Sequence, residues 1–154
     1  MRLRLAGPGE DGDAVARIFL AARAGMTYLP RVHTDEETTR FFRDAVVPND
    51  EVWLAEDDSG TVGFAALGSA ELNHLYVRPD AQGRGAGSLL LDRAKERRPD
   101  GFRFWVFQQN ADARRFYERH GCVLVLETDG AGNEEREPDA LYEWRPAAAA
   151  TATR

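Results

Sequence analysis

The chain has 154 residues, 43% hydrophobic and 30% charged, a composition suited to one globular domain and unlike that of a disordered chain. Its formal net charge is −6, with acidic residues interrupting the arginines throughout, so the basic stripe that nucleic acid requires is missing. Cys122 is the sole cysteine, no apolar run approaches the ~20 residues that span a bilayer, and Met1–Leu5 lacks the apolar stretch of a secretion signal. These features exclude a disulfide framework and a cysteine zinc site, and they predict a cytoplasmic protein with no membrane partner.

Arg2 to Leu5 alternates polar and apolar residues, as a short strand does. After Gly7-Pro8-Gly9, the spacing of Val15, Ile18, Phe19 and Ala22 predicts a helix, with Asp11 and Asp13 placed to favour its start and Gly25 its end. Thr34 and Glu37 stand at capping-box spacing before a second helix carrying Phe41, Phe42 and Ala45, stopped by Pro48-Asn49-Asp50. Glu51–Glu56 and Thr61–Leu67 read as strands joined by the turn Asp57-Asp58-Ser59-Gly60, and Leu72–Val77 as a third. A glycine-rich stretch precedes a helix with Ala86, Leu89, Leu90 and Ala94 on one face. Phe102–Phe107 is an aromatic strand, and Ala113, Phe116, Tyr117 and His120 stripe another helix ended by Gly121. Val123–Glu127 and Ala140–Trp144 read as closing strands, with an acidic solvated loop or hairpin tip over 129–139 between them. Residues 1–146 are expected to form one domain, with 147–154 a disordered tail. The order β-α-α-β-β-β-α-β-α-β-β predicts an α/β domain: a mixed, mostly antiparallel sheet with helices on both faces.

The chemistry concentrates in Gln82-Gly83-Arg84-Gly85-Ala86-Gly87, between a strand and a helix. Glycines admit close approach of a ligand to the backbone, and free N–H groups at a helix start bind anions. A phosphate or pyrophosphate is the natural ligand. A Walker A loop is excluded because Ser88 follows Gly87 with no lysine. A dinucleotide fingerprint fits only in its first half, and Arg78-Pro79-Asp80-Ala81 separates the strand from the turn.

Leu75 to Leu90 resembles the acyl-CoA-binding motif of the GNAT N-acetyltransferase superfamily, Gln/Arg-x-x-Gly-x-Gly/Ala after a strand ending in Tyr-Val-x-Pro. Asn110-x-x-Ala113-x-x-Phe116-Tyr117-x-x-x-Gly121-Cys122 resembles that superfamily's later motif, with Cys122 where phenylalanine is commoner. The resemblance implies that acetyl-CoA is the acyl donor, that a primary amine of a small molecule or peptide is the acceptor, and that no metal takes part. It implies that Leu72–Val77 splays from Phe102–Phe107 to admit the pantetheine arm, held by the backbone near Leu75, Tyr76 and Val77. The pyrophosphate would lie on Gln82, Gly83, Arg84, Gly85, Ala86, Gly87 and Ser88, with Arg78 a further cation.

By the same resemblance, Tyr117 is the acid for the leaving thiolate, Glu71 is a base working through water, and Asn110 touches the cofactor while capping its helix. His33, His74 and water remain alternative bases. Strand alternation predicts that Leu72, His74 and Tyr76 share one face and Glu71 and Asn73 the other. Trp53, Phe64, Trp105 and Phe107 are candidate walls of an acceptor pocket. Two readings stay open beside N-acetyltransfer: an acyltransferase for longer acyl chains, and a non-catalytic acyl-CoA-binding regulator. Dimerisation is common in the fold, with the last strand and the acidic loop as the expected contact.

Overall fold

The computed structural model describes residues 1–146, so the expected tail at 147–154 lies outside the described residues. Strand β1 (Arg2–Leu5) leads into helix α1 (Gly12–Ala24) and then α2 (Asp35–Phe41), which runs on through a π-helical segment at Phe42–Val46 and the short α3 (Val47–Asn49). β2 (Glu51–Asp57), β3 (Gly60–Leu67) and β4 (Leu72–Val77) follow, then α4 (Ala86–Arg97), β5 (Phe102–Phe107), α5 (Ala111–Arg119), β6 (Val123–Glu127) and β7 (Asp139–Trp144). The element order matches the expectation, and the capping box forms: Thr34 accepts from the Glu37 N–H while Glu37 accepts from the Thr34 N–H. Asp11 does not cap α1 with its side chain. It accepts the Gly7 N–H and both guanidinium N–H bonds of Arg4, tying β1 to the helix start.

The strands form two sheets, β1-β2-β3-β4 and β5-β7-β6, antiparallel within each. They meet at one parallel bridge, Glu71 with Arg103, where the Arg103 N–H donates to the Ala70 carbonyl at 3.0 Å. Beyond it β4 and β5 diverge, so the expected splay is present. Two apolar clusters cover opposite faces. One packs Leu90, Leu91, Phe102, Phe104 and Tyr117 under α4 and α5. The other packs Val15, Ile18, Phe42 and Phe64 under α1 and the π segment.

One register shift changes the geometry of the site. Ala66 pairs with His74 and Leu67 with Leu72, which leaves Asn73 as an extra, bulged residue in β4. The bulge resets the alternation. Leu72 packs on the α4–α5 side with Leu75 and Val77, whereas His74 packs edge-to-face with Phe42, and Tyr76 with Phe19, on the α1–α2 side. The expectation that Leu72, His74 and Tyr76 share a face is therefore corrected, because an inserted residue breaks the period of two.

Candidate active site

The candidate donor side is built from β4 and the turn after it. The Arg78 N–H donates to the Val62 carbonyl at 2.7 Å, which makes Arg78, Tyr76 and His74 the positions hydrogen-bonded toward β3. The N–H and C=O groups of Leu75 and Val77 then point the other way, into the splay. Gln82 Nε2 donates to the Val77 carbonyl at 3.3 Å and ties the glycine-rich turn to this edge. Gly83 and Gly85 have φ of +79° and +88°, a backbone region that side chains disfavour, and a Cβ at either would meet no atom within 4 Å. The left-handed turn is thus demanded by backbone geometry, and the space beside it is open.

Gly85 is the N-cap of α4 and offers no side chain, so the N–H groups of Ala86, Gly87 and Ser88 face outward without intrahelical partners. That open, positive helix end fits a pyrophosphate. Arg84 is exposed and makes no ion pair with the described residues, whereas Arg78 is held by Asp80. Ser88 is tied at 3.1 Å to His120 Nε2, whose Nδ1 lies 2.8 Å from the Phe116 carbonyl. The carbonyl requires Nδ1 to be an N–H donor. Asn110 Oδ1 accepts the Ala113 N–H at 3.2 Å and caps α5.

Tyr117 is buried on the α4–α5 side, its ring 4.3 Å from Phe104 and 5.3 Å from Phe116. Burial, with Tyr76 nearby, holds its phenol well above the ordinary tyrosine range. Across the sheet lies a cavity of about 960 Å³, lined by α1, the α1–α2 segment, α2, β4, β5 and the β6–β7 connection. Its rings include Phe19, Phe41, Phe42, Tyr76, Trp105 and Phe107. Trp105 and Phe107 are pocket walls as expected, whereas Phe64 is core and Trp53 lies beneath the Arg93 guanidinium.

His74 and His33 both line the cavity. Burial, and then the charge of Arg23, push the His74 imidazole down to about 4. Glu71 is exposed at the bridge that closes the splay, and its carboxylate accepts the Ala70 N–H at 2.8 Å. It does not line the cavity.

The 129–139 segment is the tip of the β6–β7 hairpin, one of the two expected forms, and it is ordered by its own contacts. Asp139 is buried, accepts from Asn133 at 3.0 Å and also takes the Thr128 hydroxyl. The folded loop brings Glu134 to His33 at 3.0 Å and Glu135 to Arg23 at 3.1 Å, across the cavity mouth. Sequence reasoning missed Arg23, because a lone arginine in a helix's last turn carries no motif. Among the described residues no helix is long and apolar enough to cross a membrane.

A family model described as an acetyltransferase (GNAT) domain matches residues 48–121. The chain is 31% identical over 104 residues to the peptidyl-lysine N-acetyltransferase YiaC of Escherichia coli (strain K12), covering 66% of this chain and 68% of that protein. It is 32% identical over 140 residues to an uncharacterized N-acetyltransferase of Archaeoglobus fulgidus, covering 81% and 95%. Among solved structures, a GCN5-related N-acetyltransferase from Rhodopseudomonas palustris superposes with a TM-score of 0.76 at 23% identity over 94% of this chain and 95% of that one. Apo YjaB from Escherichia coli gives 0.74 at 22% identity, over 94% and 98%.

Proposed function

The chain belongs to the GNAT acetyltransferase family, and from that premise we propose that it moves the acetyl group of acetyl-CoA to the primary amine of an acceptor held in the cavity, by direct attack in a ternary complex. The observation that carries this reading is the splay: the backbone edge of Leu75 and Val77, turned away from β3, opens between the glycine-rich turn and the cavity.

Acetyl-CoA supplies the thioester. The edge groups of Leu75 and Val77 bind the pantetheine as an added strand would, and an N–H from this edge polarises the thioester carbonyl. Gly83, Gly85 and the first turn of α4 receive the pyrophosphate, with Arg84 supplying a charge-assisted bond. The amine nitrogen bonds to the carbonyl carbon, the carbon–sulfur bond breaks, and the phenol of Tyr117 gives its proton to the departing sulfur. The amine's own proton leaves through water. Glu71, at the closed end of the splay, is its acceptor. His74 stays neutral in the cavity wall, and a neutral wall does not repel an incoming cation.

Thermal stability with acetyl-CoA, against ATP and NAD, tests the donor assignment. A ligand at ~100 times its dissociation constant adds about 2.7 kcal/mol, or roughly 5–10 °C for a domain of this size. A rise with acetyl-CoA alone is expected, followed by release of free thiol when an amine is added. Binding without thiol release from any amine would instead identify an acyl-CoA sensor.

A further inference from the structure

The cavity wall discriminates between kinds of amine. Phe41 on α2 and Trp105 on β5 are 52% and 55% exposed, and both line the mouth from separate layers of the fold. Deeper in, Phe19 and Phe107 are half-buried and flank the guanidinium of Arg23, whose carbon lies 5.0 Å and 5.5 Å from their ring centres. Two large apolar rings left in water at the mouth of a cavity mark a surface that a ligand covers.

The charge around these rings has one sign in excess. Asp35, Glu37, Glu134, Glu135 and Asp139 line the cavity against Arg23 and Arg31. That field draws a cationic amine toward the mouth. The carboxylates of Glu134 and Glu135 are at the rim and already hold His33 and Arg23, and Asp139 is spent on Thr128 and Asn133. Asp35 is paired with Arg31 and Glu37 caps its own helix, so among the described residues no series of free carboxylates runs inward that would match the repeated charges of a polyamine. The links His33–Glu134 and Arg23–Glu135 join the helix side to the β6–β7 connection across the rim, and an extended peptide would have to pass over or break them.

We propose that the acceptor is a small aralkylamine, a primary amine on a short chain that ends in an aromatic ring, with the ring seated against Trp105 and Phe41 and the amine directed at the splay. The inference rests on the acetyl-transfer reading and names the acceptor class for it. Ring-on-ring contact gives the body its site. The apolar interior favours the unprotonated amine, the form that attacks, because burial disfavours the charged one.

The test compares thiol release at saturating acetyl-CoA from 2-phenylethylamine, n-hexylamine, spermidine and a lysine-containing peptide. The expected order puts 2-phenylethylamine first, by about tenfold in kcat/KM over n-hexylamine. Trp105→Ala should remove about tenfold from the 2-phenylethylamine value, mainly in KM, and less than about threefold from that of n-hexylamine. Trp105 is exposed, so the variant is expected to fold, and its thermal shift with acetyl-CoA checks this independently of the acceptor. Preference for spermidine or the peptide, or equal losses for both amines in Trp105→Ala, overturns the inference. So does a wild-type protein that is stabilised by acetyl-CoA yet does not turn over 2-phenylethylamine, and in that case acetyl transfer to the other amines leaves the broader reading standing. Absence of both stabilisation by acetyl-CoA and thiol release from every amine sinks the two together.

Discussion

Arg23, in the last turn of α1, holds Glu135 of the β6–β7 connection, with Nη2 3.1 Å from Oε2. The same guanidinium lies over Phe19 and Phe107. One side chain therefore fastens the loop to the helix layer and braces two rings of the cavity wall. His33 repeats the link one residue earlier on the loop, at Glu134. Glu135→Gln keeps a hydrogen-bond acceptor and removes the charge. Its KM for the amine should rise about threefold to tenfold, in line with the loss of roughly 1 kcal/mol from a half-buried pair, with acetyl-CoA affinity unchanged. Steady-state kinetics with each substrate varied in turn decides it: a matching rise in the acetyl-CoA KM would assign the loop to the donor side.

The glycine-rich turn makes a different prediction. A Cβ at Gly85 meets nothing, so Gly85→Ala costs only the left-handed backbone, about 1–2 kcal/mol. The turn can escape that cost by leaving the left-handed region, which would re-aim the N–H groups that begin α4. The dissociation constant for acetyl-CoA should rise about tenfold or more, measured calorimetrically. Gly60→Ala, at φ +110° in the β2–β3 hairpin and also in open space, is the control. It carries a similar conformational cost and should lower the melting temperature while leaving acetyl-CoA binding as it was.

Much of this was legible in the sequence, and the exceptions have physical causes. Thr34 and Glu37 announced their capping box because its spacing is local. The strand–turn–helix around Gly83 and Gly85 was legible because positive φ forces glycine. The bulge at Asn73 was not, since alternation arguments assume an unbroken ladder and nothing in Leu72-Asn73-His74 marks an insertion. The sequence spacing puts Phe41 and Phe42 together on one helix. The structure exposes the first and buries the second where α2 passes into the π-helical segment. The charge of the β6–β7 connection allows a solvated loop or a hairpin tip and does not say that it is ordered. Its order comes from Thr128, Asn133 and Asp139 meeting across the loop, which composition does not encode.

His74 links the cavity to stability. Its imidazole is pushed down to about 4, chiefly by burial, from an ordinary value near 6.5. Between those values the unfolded chain binds more protons than the folded one, so stability rises with pH through that window and is lost as pH falls through it. Above about pH 6.5 the contribution is constant. The loss from His74 on going from pH 6.5 to 4 is bounded at about 3 kcal/mol. His74→Phe, which suits the aromatic surroundings of Phe19, Phe41 and Phe42, should flatten the melting temperature between pH 4 and 6.5 relative to wild type. An unchanged slope would mean that carboxylates alone set the acid limb.

Tyr117 and the cavity lie on opposite sides of the splay, the phenol with the α4–α5 cluster and the cavity walls with α1 and α2. That separation suits a reaction in which the amine arrives from one side while sulfur departs toward the other. Tyr117→Phe keeps the ring packed on Phe104 and Phe116 and deletes only the hydroxyl. Stability and acetyl-CoA binding should therefore survive, while kcat falls by about 10²–10⁴, the usual range for a lost general acid. Because burial holds the phenol above the ordinary tyrosine range, the proposed acid is protonated throughout the working pH, and the wild-type rate should show no alkaline decline from this group below pH ~10. The comparison of kcat between the two proteins from pH 6 to 9 carries the decision. A constant deficit across that range is the signature of a missing proton donor, and equal rates would reduce Tyr117 to a packing residue beside Phe104.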